Sequence, residues 1–276
     1  LPVDKRPDGF GVLRVTMNLA ATIGPAIGGV LPGINFLFLF ITDFIVSVIT
    51  ALIVYFALPE TKPINKKDGQ EESVVQTFSG YGIVFKDKIF LAFLFLSTFT
   101  AVVYFQMNTT LSVFLRDFHN VSAQGFGFIL SFNAVCVVLF QFCVTKKIKE
   151  YHPLRVMMVG NILYAVGFAL FGFTNIYWQF LVAMLIITMG EMIIAPIIQT
   201  LIADISPENM RGRYMAAYHL GWGIAVALGP LATGIIMDNF NPNWVWYAGG
   251  TICFFVAIGY LILKNRIGNK FSPKSQ

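Results

Sequence analysis

One acidic residue lies in the middle of a long apolar segment of this chain. Glu191 is fourteen residues into the apolar run 177–202, between Gly190 and Met192. At the centre of a bilayer a charged side chain costs roughly 2.5–3.5 kcal/mol on insertion scales, so such a residue is a candidate for function. A carboxyl group in a low-dielectric cavity suits a site that binds and releases protons. Asp43, eight residues into another apolar run, is a second candidate for this role.

Polar and aromatic side chains recur within the same apolar runs. Such groups could hold an apolar or cationic small molecule by stacking, cation–π attraction and a few hydrogen bonds. Each of them could equally well join neighbouring helices. The candidates are Tyr104, Gln106, Asn108, Asn133, Gln141, Gln199, Tyr218, His219 and Trp222.

Other kinds of chemistry find little support in the sequence. Cys136, Cys143 and Cys253 lie in apolar runs, without a CxxC pair or a histidine at ligand spacing, which argues against a disulfide framework or a zinc site. There is no P-loop, HExxH or GxSxG motif. We therefore expect no metal, no cofactor and no enzymatic activity.

The composition indicates which elements must position these residues. Apolar residues make up 57% of the 276 residues and charged residues only 12%, whereas a soluble domain usually has about 25% charged residues. A helix needs roughly 20 apolar residues to cross a bilayer. Eight runs meet this requirement and predict an all-α membrane protein: 11–31, 36–58, 89–113, 121–144, 154–173, 177–202, 214–237 and 243–263.

The loops between these runs differ in charge. If the eight spans are correct, eighteen of the nineteen Lys and Arg residues fall on one side of the membrane, and only Arg116 falls on the other. Basic loops stay in the cytoplasm, so both termini are predicted to be cytoplasmic. The basic residues are in short loops without interleaved aromatic residues, so we expect lipid, and not nucleic acid, as the partner.

The one long polar stretch divides the chain. Residues 59–88 contain five Lys and five acidic residues. This polar composition predicts a cytoplasmic linker that includes a short amphipathic helix near 74–86. The predicted organisation is two helices in 1–58, the linker 59–88, a six-helix bundle in 89–266 and a cytoplasmic tail in 267–276.

An internal repeat relates the two helical parts. Arg6 precedes Gly24-Pro25 by 18 positions, and Arg211 precedes Gly229-Pro230 by the same 18. The resulting shift of 205 also pairs the run 36–58 with 241–263. The run that begins near 89 has no partner in this chain, so we expect four helices to be missing and the chain to be a fragment.

The residues around this repeat resemble a known family signature. Gly11, Ala20, Gly24, Pro25, Gly28 and Gly29 resemble the antiporter motif of the major facilitator superfamily, with Ala20 in place of a glycine. The run 203–214 resembles that family's loop between helices ten and eleven, and 58–61 resembles the end of helix six. The resemblance implies helices 5–12 of a twelve-helix drug/proton antiporter. It also implies gating charges at the cytoplasmic face, for which Arg14, Asp204 and Arg211 are the candidates.

The function that this resemblance implies is proton-coupled export of small amphipathic compounds by alternating access. The expected setting is a monomer in a bacterial plasma membrane, completed by the missing helices, with protons and a small molecule as its ligands. A major facilitator porter for sugars or other metabolites is the first alternative. A membrane receptor or an embedded enzyme is a second alternative, for which no motif in the sequence speaks.

Overall fold

A computed structural model of the chain describes residues 16–17, 19–20, 23–24, 35–57 and 80–268. Within them, seven helices are long and apolar enough to cross a membrane. Most of the predicted first span, 11–31, lies outside the described residues. The described part of the chain is helical and without strands, which confirms the predicted all-α membrane fold.

The helices α1 to α8 are numbered here in chain order. Their bounds are Phe36–Ala57 (α1), Lys88–Phe105 (α2), Thr110–His119 (α3), Ala123–Ile148 (α4), Pro153–Phe171 (α5), Tyr177–Ile205 (α6), Arg211–Asn239 (α7) and Asn243–Ile267 (α8). A single 3-10 turn, Glu208–Met210, joins α6 to α7.

The chain divides into two compact units, Leu1–Ser73 and Val74–Gln276. The helix α1 belongs to the first unit, and aromatic side chains in it are exposed, with Phe40 at 66% and Phe44 at 67%. A helix that exposes large apolar groups on all sides suits lipid and not water as its solvent.

The second unit is a bundle in which α5 packs against α6 and α8, α2 against α7 and α8, and α4 against α6. Its interior is filled by aromatic residues such as Phe168 and Phe171, both fully buried, while Phe142 is 81% exposed. An apolar exterior around an apolar core is the distribution expected of a bundle in hydrocarbon.

Side chains at the helix starts fix where several helices begin. Asp87 Oδ1 accepts from Ile89 N and Phe90 N at 3.0 Å each at the start of α2. At the start of α4, Ser122 Oγ accepts from Gly125 N. At the start of α5, His152 Nδ1 accepts from Leu154 N. Each cap satisfies a backbone donor that the first helical turn leaves free.

The predicted span 89–113 falls within a segment, Lys88–His119, that is apolar enough to cross a membrane, but the helix is interrupted inside it. The turn 106–109 separates α2 from α3. Met107 N donates to Tyr104 O at 3.1 Å, a tight i to i+3 bond, and Leu111 N donates to Gln106 O at 2.9 Å, a wide i to i+5 bond. At this break the Gln106 side chain accepts a hydrogen bond from Thr233 of α7, a tertiary contact that no local propensity reveals. The turn 106–109 also carries Asn108.

Candidate functional site

Glu191 lies at the middle of α6 and is partly exposed. Its carboxylate oxygen Oε2 accepts a hydrogen bond from Asn133 Nδ2 of α4 at 2.9 Å. Asn133 Nδ2 also donates to Thr188 Oγ1 at 2.8 Å, and Thr188 Oγ1 donates to Met184 O at 2.7 Å. The Asn133 amide therefore uses both of its N–H groups to join α4 to α6 beside the carboxylate.

The packing of α5 fixes the position of this part of α6. A Cβ atom added to Gly190 would lie 2.9 Å from Gly160 O of α5 and 2.8 Å from Tyr164 Cδ1. Both distances are below ordinary carbon contacts, so only glycine lets the two helices approach this closely. The close approach places Tyr164 next to the turn that carries Glu191.

A row of aromatic rings continues from Tyr164 across the bundle. The ring centroids of Tyr164 and Tyr104 are 5.8 Å apart and nearly parallel, and those of Tyr104 and Trp222 are 6.4 Å apart. Trp222 Nε1 donates to Tyr218 Oη at 3.0 Å. Tyr164 and Tyr218 are buried, whereas Tyr104 and Trp222 are partly exposed. The row therefore consists of two partly exposed rings packed on two buried ones.

Two amides among the predicted cavity residues hold helices together. Gln106 is only 4% exposed, and its Nε2 donates to Val102 O at 2.7 Å while its Oε1 accepts from Thr233 Oγ1 at 3.0 Å. Gln141 Nε2 donates to Thr145 Oγ1 and to Met192 O of α6, at 2.8 and 3.0 Å. In both cases the amide donor is engaged with protein, and Gln141 reinforces the α4–α6 contact next to Glu191.

The other predicted residues are not part of this cluster. Asn108, Gln199 and His219 are exposed. Asp43 is exposed on α1, in the other compact unit. Of the two acidic candidates, Glu191 alone has a hydrogen-bonded environment among the described residues.

The residues proposed as gating charges are at the connection between α6 and α7, so far as they are described. Asp204 is exposed, and Arg211 Nη2 lies 3.8 Å from Glu208 Oε1, also at the surface. An exposed pair of this kind contributes little to stability. Arg14 and the motif residues Gly11, Pro25, Gly28 and Gly29 lie outside the described residues, whereas Ala20 and Gly24 are helical and exposed.

Sequence reasoning missed Thr188 and Tyr164. Thr188 lies one helical turn before Glu191, and this i, i+3 spacing was a signal that could have identified it. Tyr164 carries no such signal, because its place beside Glu191 depends on the close approach of α5 to α6.

The arrangement can bind a proton or a cation. Glu191 Oε2 is held by Asn133, whereas Oε1 has no hydrogen-bond partner among the residues that the structure describes. A carboxylate oxygen of this kind can take up a proton or attract a positive charge. Among the described residues, no group of three His, Cys, Asp or Glu side chains is placed to hold a metal ion.

Comparison with known proteins identifies the family. The sequence profile of the Major Facilitator Superfamily matches residues 1–122 and 107–276. A Na(+), Li(+), K(+)/H(+) antiporter of Planococcus maritimus is 28% identical over 285 residues, covering 95% of this chain and 66% of that protein. Multidrug resistance protein 3 of Bacillus subtilis (strain 168) is 30% identical over 113 residues, 40% of this chain and 22% of that protein.

The fold agrees with a solved transporter. A crystal structure of a POT family transporter in complex with 5-aminolevulinic acid superposes with a TM-score of 0.59 at 15% identity, covering 97% of this chain and 56% of that one. This likeness shows the fold alone. The chain spans less than two thirds of the length of the antiporter and of this transporter. These related proteins are transporters and not enzymes. The chain is an integral, multi-pass membrane protein that belongs to the Major Facilitator Superfamily.

Proposed function

We propose that the chain is part of a secondary active transporter that exports small amphipathic cations in exchange for protons. The observation that carries this proposal is the partly exposed carboxylate of Glu191, held by Asn133 in the middle of a membrane-spanning helix. A charged group at that depth is costly and is retained where function needs it. A similar protein, named as a Na(+), Li(+), K(+)/H(+) antiporter, supports the exchange for protons but not the organic substrate.

Competition for one carboxylate is the proposed coupling. When Glu191 is ionised, it attracts a cation whose apolar part stacks on Tyr104 and Trp222. When Glu191 is protonated, this attraction is lost and the cation leaves. Because proton and substrate exclude each other, a proton gradient can drive the substrate in the opposite direction during alternating access.

A second candidate substrate is a monovalent metal cation. The resemblance to the Planococcus maritimus protein, named as a Na(+), Li(+), K(+)/H(+) antiporter, favours it. Glu191 Oε1 and neighbouring hydroxyl and carbonyl oxygens are of the hard type that such ions prefer. The row of aromatic rings would have no role in binding a monovalent metal cation. We therefore rank this candidate substrate second.

The decisive experiment uses everted membrane vesicles from cells that express the protein. A pH gradient is imposed across the vesicle membrane, and a lipophilic fluorescent cation or NaCl is then added. The measurement is how fast the pH gradient collapses after the addition. We expect Glu191→Gln to abolish the response, and Glu150→Gln, an exposed acid between α4 and α5, to leave it unchanged. A response to the organic cation alone supports the first candidate, and a response to Na⁺ alone supports the second. Undiminished exchange in Glu191→Gln would refute the coupling role.

A further inference from the structure

A groove opens between the start of α2 and the end of α8. It is lined by Lys88, Ile89, Ala92, Leu263, Arg266 and Ile267 and has a volume of about 370 Å³. A water molecule occupies roughly 30 Å³ of the liquid, so the groove has room for a group much larger than an ordered water.

The charge of the groove is positive. Lys88 and Arg266 are exposed, and neither makes an ion pair within the described part of the chain. The nearest acid along the chain, Asp87, is already engaged: Oδ1 caps α2, and Oδ2 accepts from Tyr214 Oη at 3.0 Å. Two cations therefore remain available to an anion at the mouth of the groove.

The remaining walls are apolar. Ile89, Ala92, Leu263 and Ile267 continue the groove along two helices that are apolar enough to cross a membrane. A free phosphate would gain from the cations but not from these walls. A lipid would use both, because its headgroup is charged and its chains are hydrocarbon.

We propose that this groove binds an anionic phospholipid, with the headgroup phosphate between Lys88 and Arg266 and an acyl chain along Ile89, Ala92 and Leu263. The lipid would bridge the beginning of α2 and the end of α8, two helix ends that are far apart in sequence. This site is separate from Glu191 and does not depend on the transport reaction.

The test compares lipid retention by the detergent-purified protein in native mass spectrometry, after incubation with mixed micelles of phosphatidylglycerol and phosphatidylcholine. We expect selective retention of phosphatidylglycerol. The double variant Lys88→Gln, Arg266→Gln is expected to lower the affinity for phosphatidylglycerol roughly 30-fold, since each basic residue near an anionic surface contributes about 1 kcal/mol of binding free energy.

The matched control is Lys146→Gln, Lys147→Gln. These exposed lysines end α4. The two lysines and the groove lie at the same end of the bundle. His152, between α4 and α5, contacts Gly268, just after α8, with 3.2 Å between His152 Nε2 and Gly268 O. The control removes the same charge without touching the groove. Ala92→Phe, which narrows the groove at unchanged charge, is expected to reduce retention as well.

The alternatives give different results. Equal loss in the control variant would mean that retention reflects general attraction between charges, and unchanged retention in the groove variants would place the lipid elsewhere. Displacement of the lipid by glycerol phosphate would show that the groove takes a soluble anion. Each of these three results overturns the proposal, and circular dichroism of every variant establishes that it is folded.

Discussion

At the scale of single residues, the contact between Asn133 and Glu191 links structure to the proposed chemistry. It joins positions 58 residues apart in sequence with one hydrogen bond of 2.9 Å. Asn133 is 9% exposed, so the bond forms largely away from solvent. A carboxylate fixed in this way has one oxygen committed to the bundle and the other left for a ligand.

A double-mutant cycle measures this contact. Asn133→Ala and Glu191→Ala, alone and together, are expected to give a coupling of about 0.6 kcal/mol in the free energy of unfolding, the average for hydrogen bonds between membrane helices, whose maximum is about 1.7 kcal/mol. Unfolding in mixed micelles is the measurement. The same cycle on Asn133 and Gln199, which is exposed, should give a coupling near zero, and equal values in the two cycles would contradict a specific bond.

His152 lies outside the membrane-spanning segments and gives the protein a pH-dependent contact. Burial is the main cause that lowers the pKa of its imidazole, and the nearby charges of Lys264 and Arg155 lower it further, against the opposing effect of Gly268 O. Because Nδ1 accepts from Leu154 N, Nε2 must carry the proton that bonds to Gly268 O. A second proton, on Nδ1, would remove the cap of α5.

The sign of the pH dependence follows. A histidine with a lowered folded-state pKa stabilises the fold above its ordinary pKa of about 6.5, and this contribution is lost as the pH falls. We expect the Tm of the wild type to drop between about pH 7 and pH 5 by more than that of His152→Asn. Asparagine can accept from Leu154 N but does not titrate. Parallel curves for the two proteins would contradict this account.

At the scale of helices, residues at the break between α2 and α3 form side-chain contacts with α7. Gln106 fills the space beside Gly229, and Thr233 Oγ1 donates to Gln106 Oε1. Thr110 Oγ1 lies 2.8 Å from Thr233 Oγ1 and also donates to Gln106. Three polar side chains thus close a network at the point where Pro230 removes a backbone donor from α7.

A glycine at one position of this contact leaves room for the hydrogen-bonded amide of Gln106. A Cβ atom on Gly229 would collide with the Gln106 amide, so Gly229→Ala is expected to cost about 1–3 kcal/mol of unfolding free energy by overpacking. Gly234→Ala on the same helix is the control, because nothing lies within 4 Å of its added Cβ and alanine favours helix. The measurement is the Tm of both variants in thermal unfolding. A Tm of Gly229→Ala at or above that of Gly234→Ala would contradict the contact.

At the scale of the whole molecule, the charge pattern makes a prediction about orientation. Arg116, the single basic residue assigned to the outer side, lies in α3 and pairs with its neighbour Asp117, with 2.6 Å between Arg116 Nε and Asp117 Oδ1. Lys146 and Lys147 are at the opposite end of α4 from the α3–α4 connection. The charge pattern therefore predicts that the net positive charge lies on the cytoplasmic side.

Cysteine labelling tests the orientation. In a chain whose three native cysteines are replaced by alanine, Asn120→Cys is expected to react with a membrane-impermeant maleimide in intact cells. Lys149→Cys is expected to react only after the membrane is opened. Both positions are exposed, so accessibility to the reagent differs only through the membrane. The reverse pattern would place the termini outside and refute the predicted topology.

The sequence alone determined the features that depend on local composition. Hydrocarbon solvates only long apolar helices with satisfied backbones, so length and hydropathy predicted the membrane class and the approximate span boundaries. The same rule made Glu191 conspicuous, since a charge in an apolar run is rare whatever the fold around it.

Only the tertiary structure decided which side chains meet. Gln106, Gln141 and Asn133 are all amides within apolar runs, so the sequence does not distinguish them. In the structure Gln106 and Gln141 form hydrogen bonds to neighbouring helices, whereas Asn133 donates to the carboxylate of Glu191. Thr188 and Tyr164 joined the cluster, and the span predicted as 89–113 divided at Gln106. These outcomes depend on contacts between residues 51 to 127 positions apart, and their geometry is set by how closely helices approach at glycines such as Gly190 and Gly229. A local pattern carries no information about such distances, because they arise only when the helices pack.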